Sequence, residues 1–141
     1  NLDFQNFDLI YSYGVIHHHP ETERIINNIH SWLVNGGEFR FMVYARHSWK
    51  YAMIQAGLAQ PEAQPNCPYV KYFTNQDIEN ILGNRFIIQD IRQDHNFMYN
   101  ISDYNNDRYF LEPWFDVMDN DVREALRDYL GWHLLIKAKK C

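Results

Sequence analysis

The chain has 141 residues, 46% of them hydrophobic, which suits one α/β domain but falls short of the roughly 200 residues common in a complete α/β enzyme. A formal charge of −5 without a run of lysines or arginines disfavours nucleic-acid binding, and no apolar run approaches the roughly 20 residues that span a bilayer. Because Cys67 and Cys141 form no close pair, we expect a protein of the cytoplasm that binds neither nucleic acid nor membrane.

The first third of the chain predicts a strand, a helix and a second strand. Residues 7–13 are rich in aromatic and branched side chains and stop at a glycine, which is typical of a strand before a turn (strand A). From Pro20 onward, apolar residues recur at helical spacing, and the Asn-Gly-Gly at 35–37 ends that helix. Residues 39–44 predict strand B. Strands A and B should therefore be parallel and joined by a right-handed crossover.

Two helices and a third strand are predicted next. Residues 47–58 have helical spacing, and the stretch after them contains three prolines that indicate a surface loop: Pro61, Pro65 and Pro68. Thr74 and Asp77 form a capping-box pattern, so a short helix should begin there and end at Gly83. Strand C is predicted over residues 85–92.

The last third adds a helix and a strand. Residues 94–113 are aromatic and polar without a clear period. Residues 121–130 predict a helix with four residues on its inward face: Val122, Ala125, Leu126 and Tyr129. Residues 132–138 predict strand D. The sequence contains no internal repeat and no sign of a second domain, so residues 1–141 should form a single unit.

Three patterns resemble the second half of the class I, Rossmann-like, S-adenosylmethionine-dependent methyltransferase domain. Residues 7–20 resemble its fourth strand and the loop after it, residues 33–39 its glycine-containing turn before the fifth strand, and residues 130–136 its last strand. The resemblance implies half of a three-layer α/β/α sheet with strand order A-B-D-C and an antiparallel last strand. It also implies that residues 1–141 are a partial domain lacking the amino-terminal cofactor-binding half.

The resemblance implies a methyltransferase with a small-molecule substrate and S-adenosylmethionine as cofactor. The family's glycine-rich loop, ribose-binding acid and adenine-binding strand have no counterpart, so we expect the isolated chain to be inactive. The resemblance places five residues at the methionine end of the cofactor: Ser12, Tyr13, Gly14, Val15 and Ile16.

His17 and His18 follow that segment and are the candidate catalytic residues. A histidine with a pKa near neutrality could accept the proton that a methyl acceptor loses. In a different interpretation, both residues pack in the loop or cap the next helix. We expect no metal site, because the consecutive residues His17, His18 and His19 cannot all face one ion.

Candidate substrate-binding residues follow strands B and C. The carboxyl ends of parallel strands form the ligand-binding edge of such sheets, and strand B delivers Tyr44, Arg46 and His47 there. His95 could approach from the segment after strand C. Arg46 could equally face solvent, and His95 could belong to a surface loop.

Strand A would be an exposed edge if no further strand covered it. Its apolar residues and unpaired backbone groups predict a homodimer that pairs through residues 7–13. The alternative function is therefore a non-catalytic Rossmann-like dimerisation or binding module. A nucleotide-dependent oxidoreductase fragment is disfavoured, because the glycine fingerprint of such enzymes is absent.

Overall fold

The computed structural model describes residues 6–59 and 67–141. Helices and strands alternate along most of the chain, with single 3-10 turns at Ile16–His18 and Gly83–Arg85. None of the helices in these two ranges is long and apolar enough to cross a bilayer. The elements are β1 (Phe7–Tyr13), α1 (Thr22–Trp32), β2 (Leu33–Ala45), α2 (Trp49–Gln55), β3 (Tyr72–Phe73), α3 (Asn75–Leu82), β4 (Phe86–Asp94), α4 (Ile101–Tyr104), α5 (Pro113–Asp116), α6 (Asn120–Leu130) and β5 (His133–Lys140).

One mixed sheet organises the chain, in the order β1-β2-β5-β4. Strands β1 and β2 are parallel, whereas β5 runs antiparallel to both β2 and β4. The short β3 adds a parallel pairing at the carboxyl end of β2. The predicted order A-B-D-C, with an antiparallel last strand, is confirmed.

Helices lie on both faces of the sheet, as the three-layer prediction requires. The larger core lies under α1 and α3, where Ile26 and Ile78 are fully buried against alternate residues of the strands. A smaller core on the opposite face packs Tyr51 of α2 near Met42 and Tyr44 of β2. The alternation follows from the two-residue period of a strand, which sends successive side chains to opposite faces.

The helix α3 begins as the sequence predicts. The Thr74 hydroxyl accepts a hydrogen bond from the Asp77 amide at 3.1 Å, and the Asp77 carboxylate accepts one from the Thr74 amide at 2.8 Å. These two bonds satisfy amides that no helical carbonyl reaches. Hydrogen bonds from Thr74 also hold the pKa of Asp77 below its usual value.

The start of β2 and the presence of a further short strand differ most from the prediction. β2 begins directly at Leu33, and the glycine pair lies inside it, because the register with β1 jumps from Phe7 opposite Leu33 to Leu9 opposite Glu38. The intervening residues bulge, and a bulge and a turn share the same glycine-rich sequence pattern. The strand β3 was not predicted, and Pro61 and Pro65 lie outside the described residues.

The predicted inward face of α6 is wrong for three of its four residues, since Val122, Ala125 and Tyr129 are exposed. Val122 and Tyr129 are 49% and 77% exposed. The helix packs along β4 with two residues half-buried, the predicted Leu126 and the unpredicted Arg123. The Arg123 guanidinium donates a hydrogen bond to the Phe115 carbonyl at 2.6 Å. A long arginine stem can thus occupy a position that periodicity assigns to solvent.

Candidate functional site

The loop after β1 lies at the carboxyl edge of the sheet. Gly14 has φ of 73°, in the left-handed region that favours glycine, so the chain turns sharply as it leaves the strand. Tyr13 and Val15 are exposed on either side of it, while Ser12 is half-buried. Ile16 is only 2% exposed and belongs to the core. Backbone groups and two exposed side chains are therefore accessible to a ligand here.

His17 is completely buried. Its ring lies 3.9 Å from the Tyr44 ring and 4.1 Å from the His18 ring, centroid to centroid. Neither ring nitrogen has a hydrogen-bond partner among the described residues. Burial, reinforced by the nearby His18 and His133, lowers the pKa of His17 to about 3. The imidazole is therefore neutral at ordinary pH.

His18 and His19 have different surroundings from His17. The Nδ1 atom of His18 lies 3.1 Å from the Tyr69 carbonyl and 3.3 Å from the Cys67 sulfur. Because a carbonyl only accepts, Nδ1 carries the proton in that bond and Nε2 is the acceptor nitrogen of the ring. His19 is exposed and accepts a hydrogen bond from the Glu21 amide, so it helps to begin α1.

A residue that the sequence analysis missed connects several predicted ones. His133 begins β5, and its Nδ1 lies 3.0 Å from the Tyr13 hydroxyl. Its ring stacks on His95 at 4.5 Å and lies 6.3 Å from Tyr44. Tyr13, Tyr44 and His95 thus meet through His133. The strand register places His133 opposite Tyr44 and Asp94 and so brings these residues together. No local sequence pattern predicts that register.

The pKa of His95 is also lowered. Burial is the largest cause, the positive charge of Lys50 adds to it, and the Asp94 carboxylate opposes it. The His95 and His133 rings are stacked within 13° of parallel. This stacked pair lies on the side of Tyr44 away from β1, so the cluster extends across three strands.

Arg46 and His47 lie apart from this cluster. The Arg46 amide donates to the Phe73 carbonyl at 2.9 Å, and the Arg46 charge contributes to the lowered pKa of Asp77. His47 lines a cavity of about 280 Å³ that Thr74 and its neighbours in α3 also line. The structure therefore places these two predicted substrate residues on the α3 side and brings together Tyr13, His17, His18, Tyr44 and His95.

Comparison with known proteins extends these findings. No protein-family model matches the sequence, and neither does the sequence of any curated protein. Among solved structures, a protein from Bacillus halodurans C-125 assigned as a methyltransferase superposes with a TM-score of 0.63 at 14% identity, over 96% of this chain and 65% of that one. An S-adenosylmethionine-dependent methyltransferase from Thermotoga maritima gives 0.59 at 12% identity, over 100% and 60%.

The chain has the fold of the class I methyltransferases. It spans less than two thirds of the length of these two relatives, and its sheet order is that of the second half of the fold. The [4+2]-cyclase SpnF shares the fold as well, with a TM-score of 0.51 at 16% identity, over 96% of this chain and 51% of that one. The class I fold therefore supports more than one chemistry. The fold by itself does not identify the reaction, which depends on the residues of the site.

Proposed function

We propose that the chain is the carboxyl-terminal half of an S-adenosylmethionine-dependent methyltransferase domain that modifies a small molecule, and that it is inactive by itself. The observation that carries this proposal is the accessible loop after β1, at the ligand-binding edge of a class I sheet. A charge of −5 favours a small molecule over a nucleic acid as substrate. The free cysteines Cys67 and Cys141 support a cytoplasmic location.

The loop fits the methionine end of the cofactor. Exposed Val15 and Tyr13 offer apolar contact, and the backbone around Gly14 offers hydrogen-bonding groups that the sheet leaves accessible. When bound, S-adenosylmethionine supplies an electrophilic methyl group. The loop residues would orient the cofactor, because an in-line displacement depends mainly on positioning. Ser12 and Ile16 would support this loop from beneath.

His18 is the better candidate for the proton acceptor of the two adjacent histidines. The Tyr69 carbonyl fixes the proton on its Nδ1, which leaves Nε2 as the basic nitrogen. His17 is sealed from solvent, and its contribution would be to pack a neutral ring between His18 and Tyr44. The predicted catalytic pair thus divides into a proton acceptor and a positioning residue.

An NMR titration with S-adenosylhomocysteine tests the cofactor site. We expect amide shifts at Ser12 to Ile16 with a Kd near or above about 1 mM, because only the methionine end of the ligand finds partners on this chain. The Val15→Asp variant should abolish these shifts by placing a charge against the ligand. Val117→Asp, at a residue that is 85% exposed and remote from the loop, is the matched control. Absence of shifts at Ser12 to Ile16 would overturn the cofactor assignment.

A second proposed function is dimerisation through β1. Phe7, Leu9, Tyr11 and Tyr13 are between 40% and 63% exposed along an edge strand. A groove of about 340 Å³ crosses the same face of the sheet between Tyr11 and Arg92 of β4. Pairing with a second copy would satisfy the edge amides and cover these apolar side chains.

Sedimentation analysis over a concentration series tests this dimer. We expect Tyr11→Lys to weaken self-association by roughly tenfold or more, because it places like charges across the pairing edge. Ile87→Lys removes an equally exposed apolar side chain from β4, at the opposite edge of the sheet, and should leave self-association unchanged. A monomer at every concentration would rule out the dimerisation function.

A further inference from the structure

A second cavity, away from the loop after β1, lies between α2 and the segment that follows β4. Its volume is about 460 Å³, and its walls include Trp49, Leu58, Phe97, Tyr99, Glu112, Trp114 and Phe115. A smaller cavity of about 170 Å³ shares four of these walls: Trp49, Phe97, Trp114 and Phe115. Together they form an apolar cleft of the size that holds a small organic molecule.

The walls of this cleft present large apolar side chains to water. Trp49 and Trp114 are 44% and 48% exposed, and Leu58 is 57% exposed. A ligand that covered them would gain about 25 cal/mol for each Å² of apolar surface removed from water. The cleft therefore favours a ligand with an apolar body.

Glu112 is the single charged residue among the described walls of the cavity. The Asn100 side-chain amide donates a hydrogen bond to its Oε1 at 2.9 Å and so fixes the carboxylate. No lysine, arginine or histidine in residues 6–59 and 67–141 forms an ion pair with it. A half-buried carboxylate without a cation, set in an apolar wall, favours a ligand that carries a positive charge.

The aromatic rings around the cleft already accommodate an ammonium group. The Nζ atom of the buried Lys50 lies 4.5 Å from the Phe97 ring centroid and 4.4 Å from that of Tyr104. It also donates a hydrogen bond to the Tyr104 hydroxyl at 3.1 Å. Lys50 is not among the walls of the cavity, which Trp49, Tyr99 and Trp114 line with further aromatic rings.

We propose that this cavity binds a small apolar amine in its protonated form. The ammonium group hydrogen-bonds to the Glu112 carboxylate, and the hydrocarbon body packs between Trp49 and Trp114. A carboxylate ligand is disfavoured because Glu112 would repel it, and a neutral ligand would leave Glu112 uncompensated. Amine binding in this cavity does not require methyl transfer and does not depend on the proposed function, because the cavity has no wall residue in the loop after β1.

Isothermal titration with three compounds of similar shape tests the proposal: 2-phenylethylamine, 2-phenylethanol and phenylacetate. We expect the amine to bind at least roughly tenfold more tightly than the alcohol, a difference of about 1.4 kcal/mol, and phenylacetate to bind more weakly than either. In Glu112→Gln the advantage of the amine over the alcohol should disappear, while alcohol binding stays unchanged. Glu79→Gln, on the exposed side of α3, is the matched control and should keep the advantage.

Two outcomes would overturn the inference. One is equal binding of amine and alcohol by the unsubstituted chain, and the other is an unchanged amine advantage in Glu112→Gln whose near-ultraviolet circular dichroism matches that of the original protein. The titration needs neither cofactor nor turnover. Its failure would therefore leave the proposed cofactor site standing, and failure of the S-adenosylhomocysteine titration would leave the amine site standing.

Discussion

Replacement of Gly131 by alanine should destabilise the protein by roughly 3 kcal/mol or more, or prevent folding. A Cβ atom at this position would lie 2.3 Å from the Arg127 carbonyl oxygen and 2.5 Å from the Asp94 carbonyl oxygen. Both obstacles are backbone atoms, so no side-chain rotation relieves the clash. The φ of Gly131 is −59°, which any residue adopts, and the effect would therefore arise from close packing of α6, β4 and β5 alone.

Urea unfolding of Gly131→Ala and Gly57→Ala, measured in parallel, separates the effect of close packing from that of backbone strain. Gly57 has φ of 71°, but a Cβ atom added there would meet no other atom within 4 Å, so its substitution should cost about 1 kcal/mol through strain only. Far-ultraviolet circular dichroism reports whether each variant folds. Equal losses for the two variants would contradict the close-packing explanation.

His17→Phe should make the protein markedly less sensitive to acid. The folded pKa of His17, about 3, lies below the unfolded value of about 6.5, so the unfolded chain binds more protons between these limits. The stability that this group contributes is therefore complete above about pH 6.5 and is lost as the pH falls towards 3. The slope is about 1.4 kcal/mol for each pH unit, or roughly 2 kcal/mol between pH 6.5 and 5.

The free energy of unfolding of His17→Phe, measured at pH 7 and pH 5, checks this prediction. At pH 7 the variant should be as stable as the original protein or more so, because the ring nitrogens of His17 are buried without partners among the described residues. His95 and His30 also have lowered pKa values and contribute to the acid loss in both proteins, so the difference between the two curves isolates His17. An unaltered slope in His17→Phe would show that this side chain is not buried as described.

Local sequence signals predicted most elements of the fold. Thr74 and Asp77 predict the start of α3 because both capping partners lie within one turn of each other. The aromatic and branched run from Phe7 to Tyr13 predicts β1, whose limits match it. The sheet order came from the resemblance of longer patterns and is confirmed, although propensity by itself would not have placed β5 between β2 and β4.

The errors arose where neighbouring elements determine the outcome. Periodicity assigned Val122 and Tyr129 of α6 to the interior, but the hydrogen bond from Arg123 to the Phe115 carbonyl holds a different face of the helix inward. Likewise, β2 begins at Leu33 because β1 lies beside it and pairs with it before the glycine pair. A helical wheel or a turn pattern contains no information about the partner that an element will meet.

The sequence by itself determined the approximate positions of the longer strands and helices, the loop after β1 and the pair His17 and His18, because these depend on residues within a few positions of one another. Only the tertiary structure decided that His133 joins Tyr13 and His95, and that Glu112 faces the same cavity as Trp49. Such contacts depend on strand register and on the packing of distant segments. A shift of one residue in register would turn His133 to the other face of the sheet.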